Sequence, residues 1–77
     1  EYFKDKSVER ITPEEIGNRI KKIRKANKLT QNELAVKTGI ERPNITRIEL
    51  GKHYPDLETL EKISDALGIS VANLVAR

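Results

Sequence analysis

The apolar positions of the chain recur at helical intervals. Ile16, Ile20 and Ile23 lie three or four residues apart, the spacing that gathers side chains on one face of an α-helix. They predict a first helix over 13–26. Leu34 and Ala35 predict a short second helix over 31–38, and Ile45 and Ile48 a third over 42–50. Leu57, Leu60, Ile63 and Leu67 predict a fourth over 57–67, and Val71, Leu74 and Val75 a fifth over 71–76. No stretch of the body alternates strongly with a period of two, so strands are not expected there. The expected fold class is all-α, a compact bundle of five helices with no internal repeat.

Local signals agree with these limits. Thr12-Pro13-Glu14-Glu15 offers an N-cap threonine, a proline at the first helical position and a glutamate three residues after the cap. Thr30-Gln31-Asn32-Glu33 repeats the capping box, Asp56 precedes Leu57-Glu58, and Ser70 precedes the last apolar group. Gly39, Gly51 and Gly68 sit where helix stops fall. Residues 1–11 lack a period. Tyr2, Phe3, Val8 and Ile11 can dock on the body or on a partner, but a poorly ordered extension or linker is the expectation for 1–11, with the domain at 12–77.

Composition narrows the function classes. Seventy-seven residues allow one small domain with a modest core. There is no Cys, so no disulfide or thiolate zinc site can hold it, and His53 is the only imidazole. No cofactor is expected. An enzyme is a distant prospect, because the carboxylates and lysines form no recognisable constellation. No apolar run approaches the roughly 20 residues that span a bilayer. The expected setting is soluble and cytoplasmic, at the nucleoid. The chain has no Met, at position 1 included, which points to processing or to a piece of a longer protein.

Charge changes the picture more. The chain carries net +3, but residues 19–52 hold ten basic and three acidic side chains, net +7. Residues 1–18 and 53–77 are each net −2. Clustered Lys and Arg on a small domain is a footprint for a polyanion, although many charge runs are only solvated faces. Lys21, Lys22, Lys25 and Lys28 line the polar side of the first helix and its end, where they either add to that field or keep the chain soluble.

The third helix lies inside the basic region. At about 100° per residue, Ile45 and Ile48 point inward while Pro43, Thr46, Arg47 and Leu50 point outward, with Arg42 and Asn44 flanking in the first turn. A helix in the major groove contacts bases mainly with its N-terminal residues. Arg bonds guanine bidentately, Asn bonds adenine, and Thr can meet a thymine methyl or a phosphate.

Longer motifs sharpen this. I-R-K-x-N-K-L-T-Q-x-E-L-A runs from Ile23 to Ala35, and the turn Gly39-Ile40 follows. I-T-R-I-E-x-G runs from Ile45 to Gly51, and P-D-L-E-T-L-x-K-I-S-x-A-L-G-I-S from Pro55 to Ser70. The ordered set resembles the Xre or Cro/CI-type helix-turn-helix family of bacterial and phage regulators. The resemblance implies sequence-specific binding of double-stranded DNA. It implies that Gln31 contacts phosphate and buttresses the recognition helix. Arg42, Pro43, Asn44 and Arg47 match recognition-helix positions, and Thr46 lies among them. Gly51 and Lys52 match a loop near the sugar-phosphate strand, whereas His53 falls just beyond it. Arg24 and Glu49 match an arginine and a glutamate that pair between the first and third helices. Each lies about 70° from the inward centre of its own helix, at the core margin.

The chain departs from the family at two positions. Pro43 stands where Ser, Thr or Gln is common, which removes a donor. Leu50 faces outward where a polar residue is usual. Regulators of this type usually dimerise on half-sites about one helical turn apart. Ile69, Val71, Leu74 and Val75 are the candidates for a homodimer surface, with Ile69 and Leu74 expected to point inward and at least one valine at the interface. The expected function is a DNA-binding transcriptional regulator, a repressor by resemblance, reading a roughly palindromic operator. An alternative from another class is an antitoxin-type module that neutralises a toxin through residues 1–11 or the fifth helix, with DNA binding serving autoregulation.

Overall fold

The structure is a computed structural model, and it describes residues 11–76. They form α1 (Pro13–Ala26), α2 (Gln31–Thr38), α3 (Arg42–Glu49), α4 (Leu57–Leu67) and α5 (Val71–Val75). No strand occurs among the described residues. The helix limits differ from expectation by one residue at two ends. α3 stops at Glu49 with Leu50 as its C-cap, and α5 stops at Val75.

The caps follow from chemistry within three or four residues. Thr12 Oγ1 accepts from the Glu15 amide at 3.0 Å while Glu15 Oε1 accepts from the Thr12 amide at 2.9 Å. Thr30 and Glu33 repeat the exchange at 3.0 and 2.7 Å. Asp56 Oδ1 accepts from the Thr59 amide at 2.9 Å, and Ser70 Oγ from the Asn73 amide at 3.0 Å. Each cap satisfies a first-turn amide that has no partner inside the helix, typically a contribution of about 1 kcal/mol. The bond from Thr59 also holds the exposed Asp56 carboxyl below its ordinary pKa.

Side chains from every helix converge on one core. Ile16 and Ile20 of α1, Leu34 of α2, Ile45 of α3, Ile63 of α4 and Leu74 of α5 are fully buried. α1 packs on α3 and α5, α2 packs on α3 and α4, and α4 packs on α5. Ile11 also belongs to this core, at 4% exposure. Of the two placements considered for Ile11, the body or a partner, it takes the body, and burying such a side chain contributes about 1.5–3 kcal/mol. Tyr2, Phe3 and Val8 lie outside the described residues. Leu57 corrects another expectation. At the first position of α4 it is 63% exposed and does not join Leu60, Ile63 and Leu67 inside.

Two further residues order the packing. Gly17 is buried where α1 meets the end of α3. A Cβ there would stand 2.2 Å from the Ile48 carbonyl oxygen and 2.9 Å from that of Glu49, so the two backbones touch because the residue is glycine. Arg19, half-buried on α1, donates through Nη1 to the Leu74 carbonyl at 3.0 Å and also to the Ala76 carbonyl. It satisfies backbone oxygens that the short α5 leaves open and complements the negative end of that helix.

Gly17→Ala is expected to cost at least about 2 kcal/mol, since an added methyl in a packed contact forces the backbones apart. Urea denaturation checks it, and an unchanged midpoint contradicts the close approach. The Asp56 cap carries a pH sign. A carboxyl whose pKa is lowered by folding stabilises the fold above its unfolded pKa, and that contribution is lost as pH falls through the lowered value. The stability gap between the wild-type chain and Asp56→Asn should therefore shrink in acid. A gap that widens as pH falls contradicts the cap.

Candidate nucleic-acid interface

α2 and α3 meet through Gly39, Ile40 and Glu41. Gly39 caps α2 in the left-handed region at φ +75°, with its amide on the Ala35 carbonyl at 2.8 Å. Glycine enters that region without the Cβ clash that other residues meet. Thr38, buried, secures the turn from inside. Its hydroxyl donates to the Leu34 carbonyl at 2.8 Å and accepts from the Ile40 amide at 3.1 Å. α3 then starts at Arg42 with Pro43 in its first turn. Its N-cap residue, Glu41, makes no side-chain capping bond, unlike the caps of the other four helices.

One side of α3 is apolar and buried through Ile45 and Ile48. On the other side Arg42, Pro43, Asn44 and Arg47 are exposed. None of these side chains makes a hydrogen bond or ion pair within the described residues. Lys52 and His53, in the loop after α3, are exposed as well, and Leu50 is 61% exposed. Lys21, Lys22, Lys25 and Lys28 are exposed on α1 and its end. The outer side of α3 thus presents two free cations and one amide, Arg42, Arg47 and Asn44, available to an external partner.

Glu49 takes the opposite role on the same helix. Its side chain is 2% exposed and that of Arg24 is 7% exposed. Arg24 Nε donates to Glu49 Oε2 at 2.6 Å, and Nη2 donates to Oε1 at 3.0 Å. Arg24 Nη1 donates to the Leu29 carbonyl at 2.8 Å, which fixes the loop between α1 and α2. The bond to Glu49 raises the Arg24 pKa above its ordinary value, against the opposing effect of burial. No buried side-chain nitrogen or oxygen among the described residues lacks a partner. A buried charge pair of this kind adds little net stability over apolar packing, but it tolerates no vacancy.

Gln31 and Thr46 extend this pair toward the surface. Gln31, half-buried at the start of α2, donates through Nε2 to Glu49 Oε1 at 3.0 Å. Thr46 Oγ1 donates to Gln31 Oε1 at 2.9 Å, with the Arg42 carbonyl a second acceptor at 3.2 Å. Thr46 is half-buried, so the outward placement expected from helical angles is only partly met. Its hydroxyl turns sideways to α2. The signal for this lay in pairing across helices, which spacing within α3 does not reveal.

The expected dimer candidates separate. Leu74 is completely buried within the chain and leaves no surface for a second copy, which removes it from the set. Ile69, Val71 and Val75 are packed against the core but keep partial exposure. The toxin-binding role considered for residues 1–11 falls almost wholly outside the described residues. Gly17, Arg19 and Thr38 were not singled out from the sequence. A glycine inside a helical pattern can flag a close approach, but nothing local marks Arg19 or Thr38.

A helix-turn-helix corner with a polar, cationic second helix defines a DNA-reading class of domain. Comparison with known proteins agrees. The helix-turn-helix family profile matches residues 20–74, so the chain belongs to that family, of Xre/Cro-CI type, whose members are DNA-binding transcription regulators and not enzymes. The chain is 47% identical over 60 residues to the immunity repressor protein of Bacillus phage phi105, covering 78% of this chain and 42% of that protein. Its fold is similar to the restriction-modification controller protein C.AhdI from Aeromonas hydrophila, with TM-score 0.78 and 29% identity over 80% of this chain and 94% of that one. It is also similar to the P22 c2 repressor, whose structure was determined with a synthetic operator, with TM-score 0.74 and 31% identity over 79% and 92% of the two chains. The chain spans 42–50% of the length of the first three curated relatives it matches. No helix among the described residues is long and apolar enough to cross a membrane.

Arg24→Ala is expected to cost about 3–5 kcal/mol, because it strands the Glu49 carboxylate in the interior. The double change Arg24→Met with Glu49→Leu should cost much less. Thermal or urea unfolding separates the cases. An unchanged melting temperature for Arg24→Ala, accompanied by lost DNA binding, contradicts the structural role of the pair.

Proposed function

We propose that this chain is the DNA-reading part of a transcriptional regulator that binds a roughly palindromic operator as a homodimer, with α3 in the major groove. The observation that carries the proposal is the division of α3 into two sides. Glu49 is buried and paired, while Arg42, Asn44 and Arg47 are exposed without internal partners. The one acidic side chain within α3 is thereby withdrawn from the surface that would meet a polyanion.

The roles follow from donor geometry. Arg42 and Arg47 suit the O6 and N7 acceptors of guanine, and Asn44 suits the N6 and N7 edge of adenine. Pro43 and Leu50 offer apolar contact only. Lys52 and the free donor of Gln31 suit phosphate, which sets position and not sequence. The lysines of α1 add a long-range attraction that weakens with salt. Ile69, Val71 and Val75 form the apolar part of the homodimer contact. Regulation then works by occlusion or recruitment at a promoter, in the cytoplasm at the nucleoid.

Arg42→Ala or Arg47→Ala should weaken binding to the cognate duplex by about 1–3 kcal/mol and relax specificity at one base position. Lys52→Ala should weaken all duplexes alike and lower the salt slope by about 1. Fluorescence anisotropy on matched and mutated duplexes separates these patterns. Equal losses on every sequence for the arginine variants contradict base readout. Sedimentation with and without operator tests the dimer, and a monomer under both conditions at high concentration removes it.

A further inference from the structure

We propose that Glu41 is a further specificity-determining residue of the surface led by α3: its carboxylate accepts from the N4 amino group of a cytosine that flanks the bases faced by Arg42, Asn44 and Arg47. The proposal rests on the DNA-reading role given above.

The fold gives the Glu41 side chain no task. At the other four helix starts the side chain of Thr12, Thr30, Asp56 or Ser70 accepts from the amide of the third helical residue. In α3 that amide, of Asn44, goes instead to the Glu41 backbone carbonyl at 2.9 Å, and the Ile45 amide reaches the same oxygen at 3.1 Å. The other amide that an N-cap side chain can take belongs to the second helical residue. Here it is missing, because Pro43 stands there. The carboxylate therefore has nothing to cap. It is exposed and makes no hydrogen bond or ion pair among the described residues, although Arg42 follows it directly. The two carboxylates at the ends of α3 thus differ. Glu49 is buried and paired with Arg24, whereas Glu41 is left bare at the end that enters the groove.

A bare carboxylate beside a duplex is repelled by the phosphates and gains only where it meets a donor. Ionised, it accepts and never donates. The donors in the major groove are the N4 amino group of cytosine and the N6 amino group of adenine. Adenine carries the N7 acceptor beside its amino group, which opposes a carboxylate. Cytosine offers its amino group without that neighbour. The other exposed residues at this edge do not cover this case. Arg42 and Arg47 only donate, Pro43 is apolar, and Asn44 suits adenine. Glu41 therefore adds a base that its neighbours do not read. The same charge penalises any duplex that presents no donor there, so discrimination comes from repulsion as well as attraction.

The test reads the affinity of the 77-residue chain for its selected duplex, for each single-base change in it, and for an unrelated duplex, by fluorescence anisotropy. The wild-type chain should prefer cytosine at one flanking position by about 5-fold, the low end of a specific base contact. Glu41→Ala should reduce that preference to less than about 2-fold and tighten binding to the unrelated duplex, more so at low salt. Glu41→Gln should move the preference at the same position toward adenine, since an amide pairs with N6 and N7 together. Both variants should keep the wild-type urea midpoint, because the side chain holds nothing in the fold. A lowered midpoint with equal losses on every duplex makes Glu41 a structural residue and overturns the inference. So does a base profile of Glu41→Ala that matches wild type, or weaker binding of the unrelated duplex. A wild-type chain that prefers no sequence overturns the DNA-reading proposal itself, whereas a base preference indifferent to Glu41 overturns this inference alone.

Discussion

The buried contact between Arg24 and Glu49 is the constraint on which the arrangement of the other parts depends. Two opposite charges stand almost without water between α1 and α3. Each is costly to bury alone, so the helices must meet in a way that lets both be satisfied. Arg24 meets that condition with bonds to Glu49 and to the Leu29 carbonyl, and Glu49 with bonds to Arg24 and Gln31. One pair therefore ties together α1, the loop after it, the start of α2 and the end of α3. Apolar packing alone is non-directional. The ion pair adds direction, and the bare backbone contact at Gly17 lets α3 come close enough for it to form.

What this produces is a helix with fixed rotation. Ile45, Ile48 and Glu49 are drawn inward, so Arg42, Asn44 and Arg47 are left on the outside at defined positions. Capping boxes at the starts of α1 and α2 hold the neighbouring helix ends, and Arg19 holds the short α5 against α1. Binding by such an edge loses little entropy in ordering the backbone, because the backbone is already ordered. The long Arg and Lys side chains remain the mobile part. This division suits a surface that meets a charged partner quickly and then discriminates among base edges.

Much of this was legible in the amino-acid order, for a physical reason. The caps at Thr12, Thr30, Asp56 and Ser70 depend on contacts three residues away, and helical spacing exposes the inward set Ile16, Ile20, Ile45, Ile63 and Leu74. The motif run carried the pairing of Arg24 with Glu49 as a resemblance, since no local rule joins residues on different helices. What was less legible depended on tertiary context. Ile11 has no periodic neighbours to mark it, yet the body offers it a buried site. Leu57 continues an apolar pattern but begins its helix, where the core does not reach. Thr46 lies outward by angle, and its hydroxyl is claimed by a neighbour on α2 that spacing along α3 cannot show.

Whether α3 reads DNA is measured most directly by in vitro selection of duplex DNA by the 77-residue chain, followed by sequencing of what is retained. A DNA reader built on α3 should enrich a palindrome whose half-sites lie about 10–10.5 base pairs apart, with guanine or adenine at the positions facing α3. Enrichment should vanish when Arg42 and Arg47 are both replaced by alanine, with the fold intact. A chain that enriches no sequence, or enriches the same sequence after those replacements, contradicts the assignment of α3 as the reading surface.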